Sequence, residues 1–291
     1  MGAIVLGKET VLRQALGCLL AGGHLLIEDI PGVGKTTLAH ALARLLGLEQ
    51  RRVQCTADML PADILGANVY NRQQECFVFH PGPVFTQILL ADELNRASPK
   101  TQSALLEAME ETRVTIDGTV HDLPQPFFVM ATQNPMEQAG TFPLPESQLD
   151  RFLMRLELGI PDRAAERRML GEPSRQRLID DMQQVIDHGD LRDLQAAVER
   201  IHVSEALTDY LLDLLEHSRR VAPPGLSPRA GLGLQRAARA WALMQGRAAV
   251  LPEDIQAIAP AVMIHRLRRW AGTGRSAEQL VEDILTTVPV P

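Results

Sequence analysis

The sequence predicts an α/β domain on a parallel sheet with inserted β-hairpins, followed by an all-helical domain. Three observations predict it. Up to about residue 160, short apolar runs alternate with helical periodicity, as in successive βα units. Two segments within that stretch break the rhythm with period-two alternation. After Pro161 the pattern is helical throughout. The expected division is therefore 1–160 for the α/β domain and 161–291 for the helical one.

The elements follow in order. His24 to Glu28 is an apolar run of strand length, and Leu38, Ala41, Leu42, Leu45 and Leu46 then recur at helical spacing. Arg52–Cys55, Gln87–Ala91 and Phe127–Thr132 are further strand candidates. Ser98-Pro99 supplies an N-cap and a first helical position for a helix through Leu105, Leu106 and Met109. Val69 to Phe79 alternates at Phe77 and Phe79. Arg113 to His121 alternates Val114, Ile116 and Val120 around Asp117-Gly118, a two-residue turn signal. In the helical half, Leu207, Leu211, Leu214 and Leu215 form an apolar face behind a Ser204 cap. Ser227-Pro228 and Leu251-Pro252-Glu253-Asp254 start two more helices, and Ala222 to Gly225 breaks the chain between them.

Composition narrows the function classes. The 291 residues are 45% hydrophobic and 22% charged, enough to bury a core. The net charge of −7, from 29 basic and 36 acidic residues, gives no overall attraction to nucleic acid or anionic lipid. Arg266, Arg268 and Arg269 beside Trp270 form a local basic cluster, read as a helix end or a subunit contact before a nucleic-acid patch. Cys18, Cys55 and Cys76 are odd in number and lack metal-ligand spacing, which fits a reducing, cytoplasmic setting. Neither a signal peptide nor a membrane span is expected, since no run of about 18 apolar residues occurs.

Three constellations carry chemistry. The first is Asp29-Ile30-Pro31-Gly32-Val33-Gly34-Lys35-Thr36-Thr37 between a strand and a helix. Backbone N–H groups at a helix N-terminus wrap phosphates, and Gly32 and Gly34 let the backbone approach. Lys35 would neutralise the β and γ phosphates, and the Thr36 hydroxyl would ligate Mg²⁺. The strict pattern has Gly where Asp29 stands. That position eases a turn without touching phosphate, so Asp29 is expected to be tolerated. The second is Ile88-Leu89-Leu90-Ala91-Asp92-Glu93, an apolar strand ending in two acids. Asp92 would hold the Mg²⁺ shell and Glu93 would activate water. The third is Phe128 to Pro135, where Asn134 ends a buried strand and is a candidate to bond the water and the γ-phosphate; an ordinary turn before Pro135 is the alternative.

In this order the three resemble the AAA+ ATPases, and more closely the MoxR family. Gly23 to Asp29, Ala91 to Gln102, Thr132 to Pro135 and Phe142 to Phe152 carry the resemblance, which spans nearly the whole chain. It implies a phosphate-loop AAA+ core with an insert within helix 2 and another before the sensor 1 strand, then a helical lid. It also implies ATP and Mg²⁺ as ligands, a ring (most simply a hexamer), and a chaperone-like role in maturing or activating partner proteins. Partners with von Willebrand factor A domains are the family's expectation. Asn134 matches sensor 1. Arg151, in Leu149-Asp150-Arg151-Phe152, matches an arginine finger reaching a neighbour's nucleotide, with Arg155 the next candidate. Arg229, in Ser227-Pro228-Arg229-Ala230, matches sensor 2, and Ile4 to Lys8 resembles the segment near adenine. A DNA-remodelling or restriction motor and a weakly hydrolysing nucleotide-gated module are the rival readings.

Overall fold

Strand β5 (Ile88–Asp92) is buried at all five positions, as a strand covered on both faces must be. It pairs in parallel with β2 (Gln50–Gln54) and with β8 (Phe128–Gln133). With β1 (Leu25–Glu28) and β9 (Met154–Leu156) these form a five-stranded sheet in the order β2-β5-β8-β1-β9. The structure, a computed structural model, describes residues 6–136, 140–171, 175–268 and 274–291.

Both expected hairpins form. The first pairs β3 (Gly66–Asn71) with β4 (Cys76–Pro81), directly after the short helix α3 (Pro61–Leu65). Its base is tight: a Cβ on Gly82 would lie 2.2 Å from the Ile64 carbonyl oxygen. The second pairs β6 (Arg113–Ile116) with β7 (Thr119–Asp122) after α4 (Pro99–Glu111), and its turn residues Asp117 and Gly118 have φ of 49° and 80°. Both central residues of such a turn need positive φ, which is why Asp-Gly marks it. The hairpins also meet each other. Asn68 Nδ2 donates to Asp117 Oδ2 at 2.8 Å, and the Phe79 ring stacks on His121 with centroids 3.9 Å apart. Across the first hairpin, Tyr70 and Phe77 pack edge to face while remaining 51% and 70% exposed.

Packing divides the chain into two compact units, and not at residue 160. The first holds Leu26–Arg151, Glu157–His188 and the N-terminal residues through Leu12; the second holds Arg13–Leu25, Phe152–Leu156 and Gly189–Pro291. Residues after Pro161 return to the α/β unit because their backbone caps α2 (Lys35–Leu46). Arg44 donates from Nε to the Met182 carbonyl at 3.3 Å and from Nη2 to the Asp180 carbonyl at 3.2 Å, and the Val185 amide donates to the Leu45 carbonyl. Conversely, Phe152 and Leu153 join the helical unit. His265 and Arg266, near the end of α11 (Pro252–Leu267), bond their carbonyls. The loss of strand periodicity at Pro161 registers the change of secondary structure, not the change of packing partner.

In the helical unit the caps are those expected. Ser204 accepts from the Leu207 amide at the start of α9 (Glu205–Val221), and Ser227 accepts from the Ala230 amide at the start of α10 (Pro228–Met244). Leu207, Leu211, Leu214 and Leu215 are all buried. At α11, the first-turn acid Asp254 is only 1% exposed; it accepts the Leu251 amide at 2.8 Å and pairs with both guanidinium nitrogens of Arg247. Among the described residues no helix is long and apolar enough to cross a membrane. Replacing Asp254 with Ala removes the cap and leaves Arg247 unpaired. It should cost about 3 kcal/mol of stability, read as a lowered midpoint in urea unfolding.

Candidate functional site

The loop after β1 turns into α2 through two glycines in the left-handed region, Gly32 at φ 87° and Gly34 at φ 100°. A Cβ on Gly32 would meet nothing within 4 Å, so the dihedral and not space demands glycine there. No side chain caps the N-terminus of α2 at Gly34. The first amides of a helix have no intrahelical acceptor, and here they open onto a cavity of ≈ 370 Å³. From the loop and helix, Gly32, Gly34, Lys35, Thr36 and Thr37 line it. Asp92, Glu93 and Asn134 enter from the carboxyl ends of β5 and β8, and Arg52 and Gln54 from β2. Val33 is half-buried within the loop and does not line the cavity.

Asp29, the irregular first position, is buried and fully engaged. Its Oδ1 accepts from the Ile30 amide at 2.9 Å and its Oδ2 from the Gly159 amide at 2.6 Å. A glycine would leave the Gly159 amide without this acceptor, so the departure from the strict pattern serves the loop's own seat. The Asp29 carbonyl accepts from Lys35 Nζ at 2.7 Å. Burial pushes the Lys35 ammonium below the usual lysine range, against the pull of Asp29, Asp92 and Glu93.

The acid pair is held from both sides. Asp92 Oδ1 accepts from the Thr132 hydroxyl at 2.6 Å, and Asp92 Oδ2 accepts from Arg52 Nη2 at 2.7 Å and Nε at 3.2 Å. Glu93 sits at φ 55° and ψ 49°, a left-handed conformation for a non-glycine residue. Its amide donates to Thr132 Oγ1 at 2.9 Å. Its Oε2 accepts from Gln54 Nε2 at 2.7 Å and from Arg96 Nη1 at 3.1 Å. Next door, burial pushes the Cys55 thiol up to about 12, with Asp92 and Glu93 adding to the rise, so it remains protonated.

Arg52, Gln54, Thr132 and Arg96 were not singled out from the sequence. One signal for two of them exists: Val53 and Cys55 are buried, so period two turns Arg52 and Gln54 together to the other face of β2. The missing fact was that β2 lies beside β5, with Gln54 opposite Asp92.

The remaining candidates lie elsewhere. Asn134 follows β8, lines the cavity, and accepts from the Met136 amide at 3.2 Å through Oδ1. Arg151 does not line the cavity; its Nη2 pairs with Glu110 of α4 at 3.1 Å, and its side chain is 29% exposed. Arg155, in the helical unit, is 11% exposed and faces Glu278 at 4.0 Å. Arg229 is exposed in the first turn of α10. Arg266 spends its guanidinium on carbonyls of its own unit, those of Phe152, Leu153 and Val262, which removes it from the basic cluster. Arg269 and Trp270 lie outside the described residues.

Comparison with known proteins agrees with this geometry. Residues 24–154 match the family described as "ATPase family associated with various cellular activities (AAA)", and residues 222–284 match the AAA lid domain. Chaperone MoxR1 of Mycobacterium tuberculosis is 39% identical over 99% of this chain and 80% of its own length. Protein MoxR of Paracoccus denitrificans is 33% identical over 100% of this chain and 94% of its own. A crystal structure of a protein from Cytophaga hutchinsonii superposes with a TM-score of 0.88 at 36% identity, covering 100% of this chain and 92% of that one. A glycine-rich strand-to-helix loop, a strand-end acid pair and relatives matched over most of their length place the chain in the MoxR family of AAA+ ATPases.

Proposed function

We propose that the protein is a MoxR-type AAA+ ATPase that couples ATP hydrolysis to chaperone-like remodelling or activation of partner proteins. The observation that carries this reading is the cavity itself. Lys35, Thr36, Asp92, Glu93 and Asn134 come from three separate stretches of sequence and line one space of ≈ 370 Å³, within the size range of ligand clefts. The uncapped α2 N-terminus and the positive-φ glycines suit a polyphosphate, and the pairing of a hydroxyl with a carboxylate suits a hard cation.

In this reading Gly32, Gly34 and Thr37 contribute the cradle, with Val33 serving only as backbone between the two glycines, and Lys35 contributes the charge on the β and γ phosphates. Thr36 and Asp92 would hold Mg²⁺, which would neutralise those oxygens. Gln54 and Arg96 both bond Oε2 of Glu93, which leaves Oε1 to receive the proton of the attacking water. Asn134 orients that water. Arg151 stands outside its own cavity, in a part-exposed pair with Glu110, which suits a finger acting on the neighbouring subunit of a ring, taken as a hexamer. Arg155 is more buried and belongs to the other unit, and is less suited. Arg229 acts from the helical lid, within the residues 222–284 that match the AAA lid domain.

The client is a protein in a cytoplasmic setting, with von Willebrand factor A partners the family's expectation. Exposed Tyr70 and Phe77 on the first hairpin are the candidate contact. The acidic total speaks against the DNA-motor reading, and the intact acid pair against a module that binds without hydrolysing.

Lys35→Ala should abolish nucleotide binding measured by fluorescence titration. Glu93→Gln should keep binding within a few-fold and lower phosphate release by about 10² to 10⁴; unchanged release would remove Glu93 from the mechanism. Affinity capture of the Glu93→Gln protein with ATP should yield a ring, and recovery of monomer alone contradicts the assembly. Arg151→Ala should lower turnover by about 10³ or more. Mixing it with Glu93→Gln subunits should restore part of the activity, because each supplies what the other lacks; no recovery on mixing contradicts a shared site.

A further inference from the structure

We propose that Arg52 is a mobile cation of the phosphate site, which pairs with Asp92 when no γ-phosphate is present and transfers to the γ-phosphate when Mg²⁺-nucleotide enters. The inference rests on the nucleotide reading above and adds a residue that reads which nucleotide is bound.

The geometry sets up a competition for one oxygen. Asp92 has two acceptor oxygens, and Thr132 occupies Oδ1. Arg52 occupies Oδ2 with both Nη2 and Nε. Under the nucleotide reading, Asp92 has to serve the hydration shell of Mg²⁺, and Oδ2, which already accepts from two Arg52 nitrogens, has no lone pair left for it. A monovalent guanidinium and a divalent ion repel at such separation, and the divalent ion holds a carboxylate more strongly. Use of both Asp92 oxygens by the metal's shell therefore requires Arg52 to move.

The two partners differ in freedom. The Asp92 side chain is 12% exposed and pinned by Thr132, whereas the Arg52 side chain is 49% exposed. Arg52, although its Nη2 also donates to Gln54 Oε1 at 3.2 Å, is therefore the partner with the greater freedom to move. It already lines the same cavity as Lys35 and Thr36, so a phosphate bound there would offer it new acceptors. A guanidinium bonds such oxygens bidentately, which makes arginine well suited to the role. After the γ-phosphate departs, the acceptor is lost and Arg52 returns to Asp92, where it opposes retention of the metal with the diphosphate. A residue that only tied β2 to β5 would have no need of a half-exposed guanidinium inside the cavity. The parallel backbone pairing of those strands already ties them.

The test uses the Glu93→Gln protein, which is expected to hold nucleotide with little turnover. Its affinity for methylanthraniloyl-ATP and methylanthraniloyl-ADP is titrated in the presence of Mg²⁺, with and without Arg52→Ala. The expected result is a loss of about 10- to 100-fold in ATP affinity, with ADP affinity unchanged or tighter. Arg52→Lys should fall between, since it keeps the charge and loses the fork. A parallel fall for both nucleotides means that Arg52 merely supports Asp92, and overturns the proposal; so does no change in either. ADP binding by the Arg52→Ala protein also reports that it is folded. If the parent Glu93→Gln protein binds neither nucleotide, the nucleotide reading fails and this inference with it. A fault confined to Arg52 instead appears as normal binding in the parent with no ATP-selective loss in the variant.

Discussion

The acid pair depends on one buried hydroxyl. Thr132 Oγ1 donates to Asp92 Oδ1 and accepts from the Glu93 amide, so a single atom orients one acid's side chain and the other's backbone. It can do so because β8 and β5 run parallel in a register that pairs Ala91 with Ala131, which brings Thr132 alongside Asp92 one residue on. The arrangement has a cost. Glu93 is held at φ 55°, a conformation worth of order 1 kcal/mol or more against a non-glycine residue. Bonding the Glu93 amide to Thr132 offsets part of that cost and turns the chain sharply at the strand end.

The charge pattern follows from the same frame. Asp92 and Glu93 lie at the mouth of one cavity and would repel each other if left alone. Arg52 neutralises the first, Arg96 and Gln54 hold the second, and Lys35 faces the loop carbonyl of Asp29. The site is therefore nearly balanced as it stands. In the function proposed above, a triphosphate would add anionic oxygens and Mg²⁺ a dication, and the existing pairs would rearrange to receive them. Lys35 is the group for which burial already weakens the charged form, so phosphate oxygens give it what its surroundings withhold.

Much of this was legible in the sequence because it is local. The glycine and lysine spacing, the apolar strand ending in Asp92-Glu93, the Asp-Gly turn and the serine caps each act within a few residues, and each stands where expected. What was not legible depends on neighbours in space. Arg52 and Gln54 gain meaning only once β2 lies beside β5. Thr132 looked like one more residue in a buried strand. The strand β9 is three residues long, too short for any periodicity to reveal. The boundary at residue 160 followed the change from strands to helices, but the Arg44 side chain draws residues 180–182 back onto α2, and His265 and Arg266 draw Phe152 and Leu153 to the helical unit. Asp29 is intermediate: its tolerance was expected, while its bond to Gly159 spans a separation that spacing cannot show.

The most direct test of this account is Thr132→Val, which keeps the shape of the side chain and removes its hydroxyl, with Thr132→Ser as the control that restores it. If the hydroxyl orients the acid pair, steady-state phosphate release by the valine variant should fall about 10²-fold, as small misplacements of reacting groups do. Nucleotide affinity should stay within a few-fold and the serine variant should recover most of the rate. Undiminished phosphate release by the valine variant would contradict the account.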